Sequence, residues 1–151
     1  MKLEHLLTYH ADLKPPADIG VGPIGSRRIF DVTGGTFEGP RLRGVILPSG
    51  GDWLITGNDG VGRLDVRATL NTDDGALIYV QYYGVVALGE AATAALARGE
   101  ASAYGDSYFM TAPRMETGDP RYAWLNTIVC VAEGRSLPGA VEYRVYQAVN
   151  G

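Results

Sequence analysis

The sequence has one cysteine, Cys130, and two histidines, His5 and His10, in 151 residues. One thiol cannot close an internal disulfide, so the chain is expected in a reducing compartment, the cytoplasm, with Cys130 as a buried small hydrophobe. No Cys/His cluster exists, and His5 and His10 fall on opposite faces of any strand, so no metal site is expected. Basic runs are missing too: 13 Lys and Arg stand against 17 Asp and Glu, for a net charge of −4. That balance argues against a nucleic-acid partner. No apolar run approaches membrane-spanning length, so no membrane partner is expected. The opening MKLEHLLTYHADLKPP has neither the apolar core nor the cleavage site of a secretory signal. A G-x-S-x-G elbow, internal repeats and linkers are absent as well. These absences leave a soluble chain read as one domain over residues 1–151.

What is abundant is turn chemistry, with 21 Gly and 8 Pro. Lys2 to Tyr9 alternates as a first strand, and Pro15-Pro16 ends it. Gly20-Val21-Gly22-Pro23-Ile24-Gly25 matches G-x-G-x-x-G, but Pro23 sits inside it and the β-prone Ile29–Val32 follows. A dinucleotide site needs a helix there, so these glycines read as bends in a strand and no cofactor is expected. Gly34-Gly35 is read as a turn, Gly39-Pro40 as a bulge or bend, and Pro48-Ser49-Gly50-Gly51 as a loop before the short strand Asp52–Thr56. Only Glu90–Arg98 reads as helix, alanine-rich and followed by Gly99 at the capping position. Strands are then expected over Tyr104–Arg114, Tyr122–Val131 and Val141–Val149, with turns at Glu116–Pro120 and Gly134–Gly139. About nine short, evenly spaced strands and one short α-helix predict an all-β fold, an antiparallel up-and-down-type β-barrel.

The most regular stretch is Gly62–Tyr83, a strand, a T-D-D-G turn and a second strand. In its first arm Arg63, Asp65, Arg67 and Thr69 share one face, and Leu64, Val66, Ala68 and Leu70 the other. Trp124 and Asn126 share a face in the same way if their segment is a strand. Tryptophans make poor outward residues, so their faces are expected to line the barrel, and the Asp65/Arg67 face with them. The apolar Leu64 face would then point outward and need covering, which predicts a homo-oligomer.

Three stretches resemble a small-barrel family known as the domain of unknown function numbered 3237. They are Gly34-Gly35-Thr36-Phe37-Glu38-Gly39-Pro40 through Leu42 and Gly44 to Asp52-Trp53, then Leu64-Asp65-x-Arg67 with Thr72-x-Asp74-Gly75-Ala76, and Tyr108-Phe109 with Glu116-Thr117 and Tyr122-x-Trp124-Leu125-Asn126. They occur in order over nearly the whole chain. Met110 and Met115 depart from the arginine and phenylalanine often found in the third motif. The resemblance implies a β-barrel and carries no settled activity.

Asp52, Trp53, Asp65, Arg67, Glu116, Trp124 and Asn126 match its motif positions and come from separate segments, so a shared interior is what would unite them. Asp65, Arg67 and Glu116 are the catalytic candidates: the carboxylates for general acid/base work, Arg67 to hold an anionic oxygen. Asp52, Trp53, Trp124, Asn126 and Tyr82 are the ligand-binding candidates. The expected function is a cofactor-independent lyase, isomerase or cyclase acting on a small aromatic or enolisable molecule inside the barrel. The alternatives are a non-catalytic, lipocalin-like binding protein for a small apolar or aromatic ligand, and a barrel whose charges only pair with one another.

Overall fold

Alternation along one strand decides which way the whole sheet faces. In the computed structural model, which describes Met1–Gly151, the central hairpin consists of β5 (Gly62–Thr72) and β6 (Leu77–Ala87). Leu64, Val66, Ala68 and Leu70 are buried in the core, while Arg63 and Arg67 are exposed. The expected orientation of this strand is therefore reversed. Four apolar side chains in a row lose more by facing water than an Asp and two Arg lose by facing it, so the apolar face turns inward. The same finding removes the argument for a second copy, since no Leu64 face stands open to be covered.

Around this hairpin the chain builds ten strands. The others are β1 (Lys2–Leu13), β2 (Ala17–Gly22), β3 (Gly25–Glu38), β4 (Arg43–Thr56), β7 (Tyr108–Thr111), β8 (Arg114–Glu116), β9 (Val129–Leu137) and β10 (Ala140–Val149). Every pairing is antiparallel. Eight strands follow one another around the wall from β3 to β7, then β9, β10 and β1, and β1 closes the barrel on β3. The remaining two lie outside that path, β2 on β3 and β8 on β6. Eight strands enclose an interior just wide enough for packed side chains or one small ligand.

Glycine lets two long strands bend where the sequence suggested breaks. Gly34-Gly35 does not turn the chain; it lies within β3, where a Cβ on Gly35 would sit 2.0 Å from the His10 carbonyl of β1. Pro48–Gly51 is likewise no loop but a bulge in β4, with Leu47, Pro48 and Ser49 facing the single Thr69 of β5. Gly39-Pro40 forms the β3–β4 turn, closed by Gly39 N–H donating to the Leu42 carbonyl. The G-x-G-x-x-G stretch is the β2–β3 hairpin, with no helix after it. At the β5–β6 turn the amide of Gly75 donates to the Thr72 carbonyl, and Gly75 takes φ +91°.

The helix α1 (Glu90–Ala97) forms as expected, with Gly99 at φ +71° behind it. The second half of the chain departs further. Tyr104 lies in a loop, and the strand expected over 104–114 is the shorter pair β7 and β8. Gly134 is not a turn residue but lies within β9, whose turn to β10 is Pro138-Gly139. Pro120–Thr127 is a 3₁₀ helix rather than a strand. Pro120 starts it, and Asp119 caps it by accepting the Arg121 N–H at 2.9 Å. Its Leu125 is buried in the core, Trp124 lies under Arg41 of the β3–β4 turn and Tyr122 donates to Asp74 of the β5–β6 turn, so this segment plugs that end of the barrel. Phe37, Leu7, Leu70, Ile78 and Leu125 are the largest wholly buried side chains, each contributing roughly 1.5–3 kcal/mol by burial. Cys130 is buried, and burial pushes its thiol up to about 11. No helix is long and apolar enough to cross a membrane.

Candidate active site: an acid in an apolar barrel mouth

The end opposite the 3₁₀ plug is hollow. A cavity of about 500 Å³ opens there, within the range of small-molecule sites. Its walls are apolar, with Val32, Val66, Val86, Phe109 and Val141 from five strands. Pro15, Pro16, Leu88 and Leu96 of α1 form the rim, together with the cationic Lys14 and Arg28. Four polar side chains line the interior besides that rim: Asp52, Tyr82, Tyr143 and Ser136.

Asp52 stands just past the bulge in β4, on the same face of that strand as the buried Ile46. Gly50 and Gly51 carry no side chain, and a Cβ on Gly50 would lie 2.1 Å from the Arg67 carbonyl, so β4 can approach β5 closely there. Asp52 then pairs with Val66 on one side and Phe30 on the other, both cavity residues, and shares their inward face. Its Oδ1 accepts the backbone N–H of Asp65 at 3.2 Å. Burial pushes the Asp52 carboxyl up from the usual carboxylate range to about 7; the Asp65 amide and the Arg27 charge pull it down, and the Asp65 charge pushes with burial. An acid poised there can both accept and donate a proton at neutral pH.

The tyrosines stand deeper. Tyr143 is the hub of an aromatic cluster, with ring centroids 5.3 Å from Tyr82, 5.4 Å from Phe109 and 6.0 Å from Tyr9. The Tyr82 and Tyr143 side chains stand edge to face, and burial raises both hydroxyls well above the ordinary phenol value. The Asp52 charge acts on both in the same direction. They therefore remain protonated donors. Tyr9 Oη is buried without a well-formed hydrogen bond, although Tyr82 is close enough to interact with it.

Of the residues singled out from the sequence, Asp52 and Tyr82 line this cavity. Asp65 and Trp53 lie opposite each other on the outer face between β4 and β5; Trp53 is 39% exposed and Asp65 half-buried. Arg67 is exposed on the outer wall, and Glu116 is exposed on β8 opposite Tyr79. Trp124 sits on the plug at the far end, under the Arg41 guanidinium at 3.5 Å from its ring. Asn126 is there too, its Oδ1 accepting Thr117 N–H at 2.8 Å and its Nδ2 donating to the Thr117 carbonyl at 3.0 Å. That bidentate clasp holds the plug to the strand before it. Met115 packs in the core below the tyrosines rather than in the large cavity. Tyr143 and Phe109 went unselected in the sequence, although Val141, Tyr143 and Val145 repeat at alternate positions of the last strand and mark its inward face.

A family model described as a protein of unknown function (DUF3237) matches residues 1–148. This chain belongs to that family. Among relatives of this DUF3237 protein, a UPF0311 protein of Rhodopseudomonas palustris is 30% identical over 99% of this chain and 97% of that one. The crystal structure of a β-barrel-like protein from Acinetobacter baumannii is 40% identical, covers 97% of this chain and 94% of that chain, and superposes with a TM-score of 0.84. The structure of an enzyme from Penicillium herquei, 22% identical over 97% of this chain and 92% of that chain, has a TM-score of 0.71. The last likeness is one of fold. The family, the barrel and its closure are thus consistent from sequence to superposition.

Proposed function

We propose that this DUF3237 barrel is a cofactor-independent lyase, isomerase or cyclase that works by general acid/base chemistry on a small aromatic or enolisable molecule. The observation that carries the reading is Asp52, a carboxyl held near neutrality on the wall of a largely apolar cavity. Asp52 takes a proton from an acidic C–H or O–H of the bound molecule through Oδ2, the oxygen that accepts no hydrogen bond from the protein. The charge left on the molecule gathers on an oxygen facing the Tyr82 and Tyr143 hydroxyls, which donate to it. The protonated Asp52 then returns its proton to a different atom, which completes an isomerisation. If the anion instead adds to a C=O or C=C of the same molecule, that π bond breaks, the charge moves to its far atom and Asp52 returns its proton there, a cyclisation; if the anion expels a leaving group, Asp52 returns its proton to that group, an elimination. Apolar walls exclude water and strengthen each of these interactions. The Penicillium herquei likeness lends the fold and no residue role.

The test is proton exchange. A panel of enolisable aryl ketones, 2-tetralone among them, is incubated with the protein in D2O, and loss of the α-proton signal is followed by NMR. Accelerated exchange of a bound member supports acid/base catalysis. Saturable binding with no acceleration overturns it in favour of a lipocalin-like binding protein, and neither binding nor exchange across the panel overturns both.

A further inference from the structure

β4 and β5 are paired at Asp52–Val66 and again at Ile55–Arg63, in one unbroken register, yet Trp53 and Leu54 are not paired with Asp65 and Leu64 in between. The wall has a break there. Asp52 fills it from inside, its Oδ1 taking the Asp65 N–H that the ladder leaves over. On the outer side Arg27 of β3 donates to the Trp53 carbonyl at 2.7 Å, which occupies a second group freed by the break. One atom stays unsatisfied: Asp65 Oδ1 is buried and has no hydrogen-bond partner. A carboxylate oxygen without a donor is costly, and native folds seldom retain one without a use.

We infer that Asp65 is the positioning residue of the site: through this break its amide holds the inner carboxyl of Asp52, and its own carboxyl stands beside it as the second member of one acid pair. This rests on the reading that Asp52 is the acid/base group. When Asp52 is protonated and no ligand engages Oδ2, its O–H supplies the donor missing at Asp65 Oδ1 through one bridging water in the break. Charge facing Asp52 from the surrounding elements leaves few competitors. Tyr82 of β6 and Tyr143 of β10 stay neutral throughout the relevant range. At the rim, Arg28 of β3 and Lys14 beyond β1 stand 3.9 Å from Asp18 and 3.4 Å from Asp31 respectively. Asp65 of β5 and Arg27 of β3 remain, with opposite signs. The pair also gives Asp52 a polar route outward, since the Asp65 side chain is half-buried and reaches solvent. A proton taken from a ligand can leave that way without crossing the ligand.

The experiment is a pH titration of the carboxyl carbons of Asp52 and Asp65 by NMR on the full chain. In the wild type the Asp65 carboxyl carbon should register the change of charge on Asp52 as a shift at the Asp52 midpoint, because the two side chains are neighbours across the break. Asp65→Asn keeps the amide and the shape and removes the charge, so the Asp52 midpoint should fall by roughly one pH unit. Arg27→Met should move it the other way. Opposite shifts from two neighbouring substitutions are not what loosened packing produces. If either variant fails to fold, the other and the wild-type inflection decide. A midpoint near neutrality that ignores both substitutions, or an Asp65 signal blind to Asp52, overturns the pairing while leaving Asp52 as the acid. An Asp52 midpoint near 4 sinks the proposed function instead.

Discussion

Replacing Asp52 with asparagine should make the protein more stable at alkaline pH. The carboxyl titrates near its usual value of 3.8 in the unfolded chain and near 7 in the barrel. Between those values the folded state binds a proton that the unfolded state does not, so stability falls as pH rises from about 4 to about 7 and stays low beyond. Three pH units at about 1.4 kcal/mol each put the cost of an ionised Asp52 at about 4 kcal/mol. Asparagine keeps the oxygen that accepts the Asp65 amide and never ionises. Asp52→Asn should therefore match the wild type at pH 4 and exceed it at pH 8 by up to about 4 kcal/mol, or roughly 10 °C in Tm for a chain of this size. Urea unfolding of both proteins at the two pH values reads this directly. An asparagine variant that is less stable at pH 8, or shifted equally at both, would refute a buried, proton-hungry Asp52.

Tyr82→Phe removes one of the two cavity hydroxyls assigned to the ligand's oxygen in the proposed mechanism and should slow exchange of a bound ketone by tenfold or more with little change in binding, read as kcat against KM. Arg67→Met should leave exchange within twofold of wild type and unfolding within about 0.5 kcal/mol, because Arg67 is exposed on the outer wall. Asn126→Ala breaks both hydrogen bonds of the Thr117 clasp and should cost about 1–3 kcal/mol in urea unfolding, with the cavity chemistry intact.

How far the sequence could be read depended on which interactions are local. The barrel was legible because alternation and turn residues act over a few positions: the β5–β6 hairpin, the helix at Glu90 and the antiparallel order all follow from them. Closure depends on glycines whose role is defined by a partner strand. Gly35 against His10 and Gly50 against Arg67 read as breaks until the other strand is beside them. The site suffered from one wrong premise. Aromatic bulk alone predicts both tryptophans inside, yet Trp53 rests on the outer wall and Trp124 stacks under Arg41 on the plug. Had the face of β5 been set by Leu64, Val66, Ala68 and Leu70, register would have put Asp52 inside opposite Val66 and left Asp65 and Arg67 out. Pro120 after Asp119 was a helix-start signal within reach of the sequence, and it moves Trp124 and Asn126 off any strand. The elevated Asp52 carboxyl arises from burial, which only the assembled barrel supplies.

The pH dependence of ketone exchange tests the central claim most directly. With Asp52 as the base, kcat/KM should rise with pH through a midpoint near 7 and then level off, and Asp52→Asn should lose about 100-fold or more across that plateau. Exchange that levels off near pH 4, or that survives in Asp52→Asn at the wild-type rate, would contradict it.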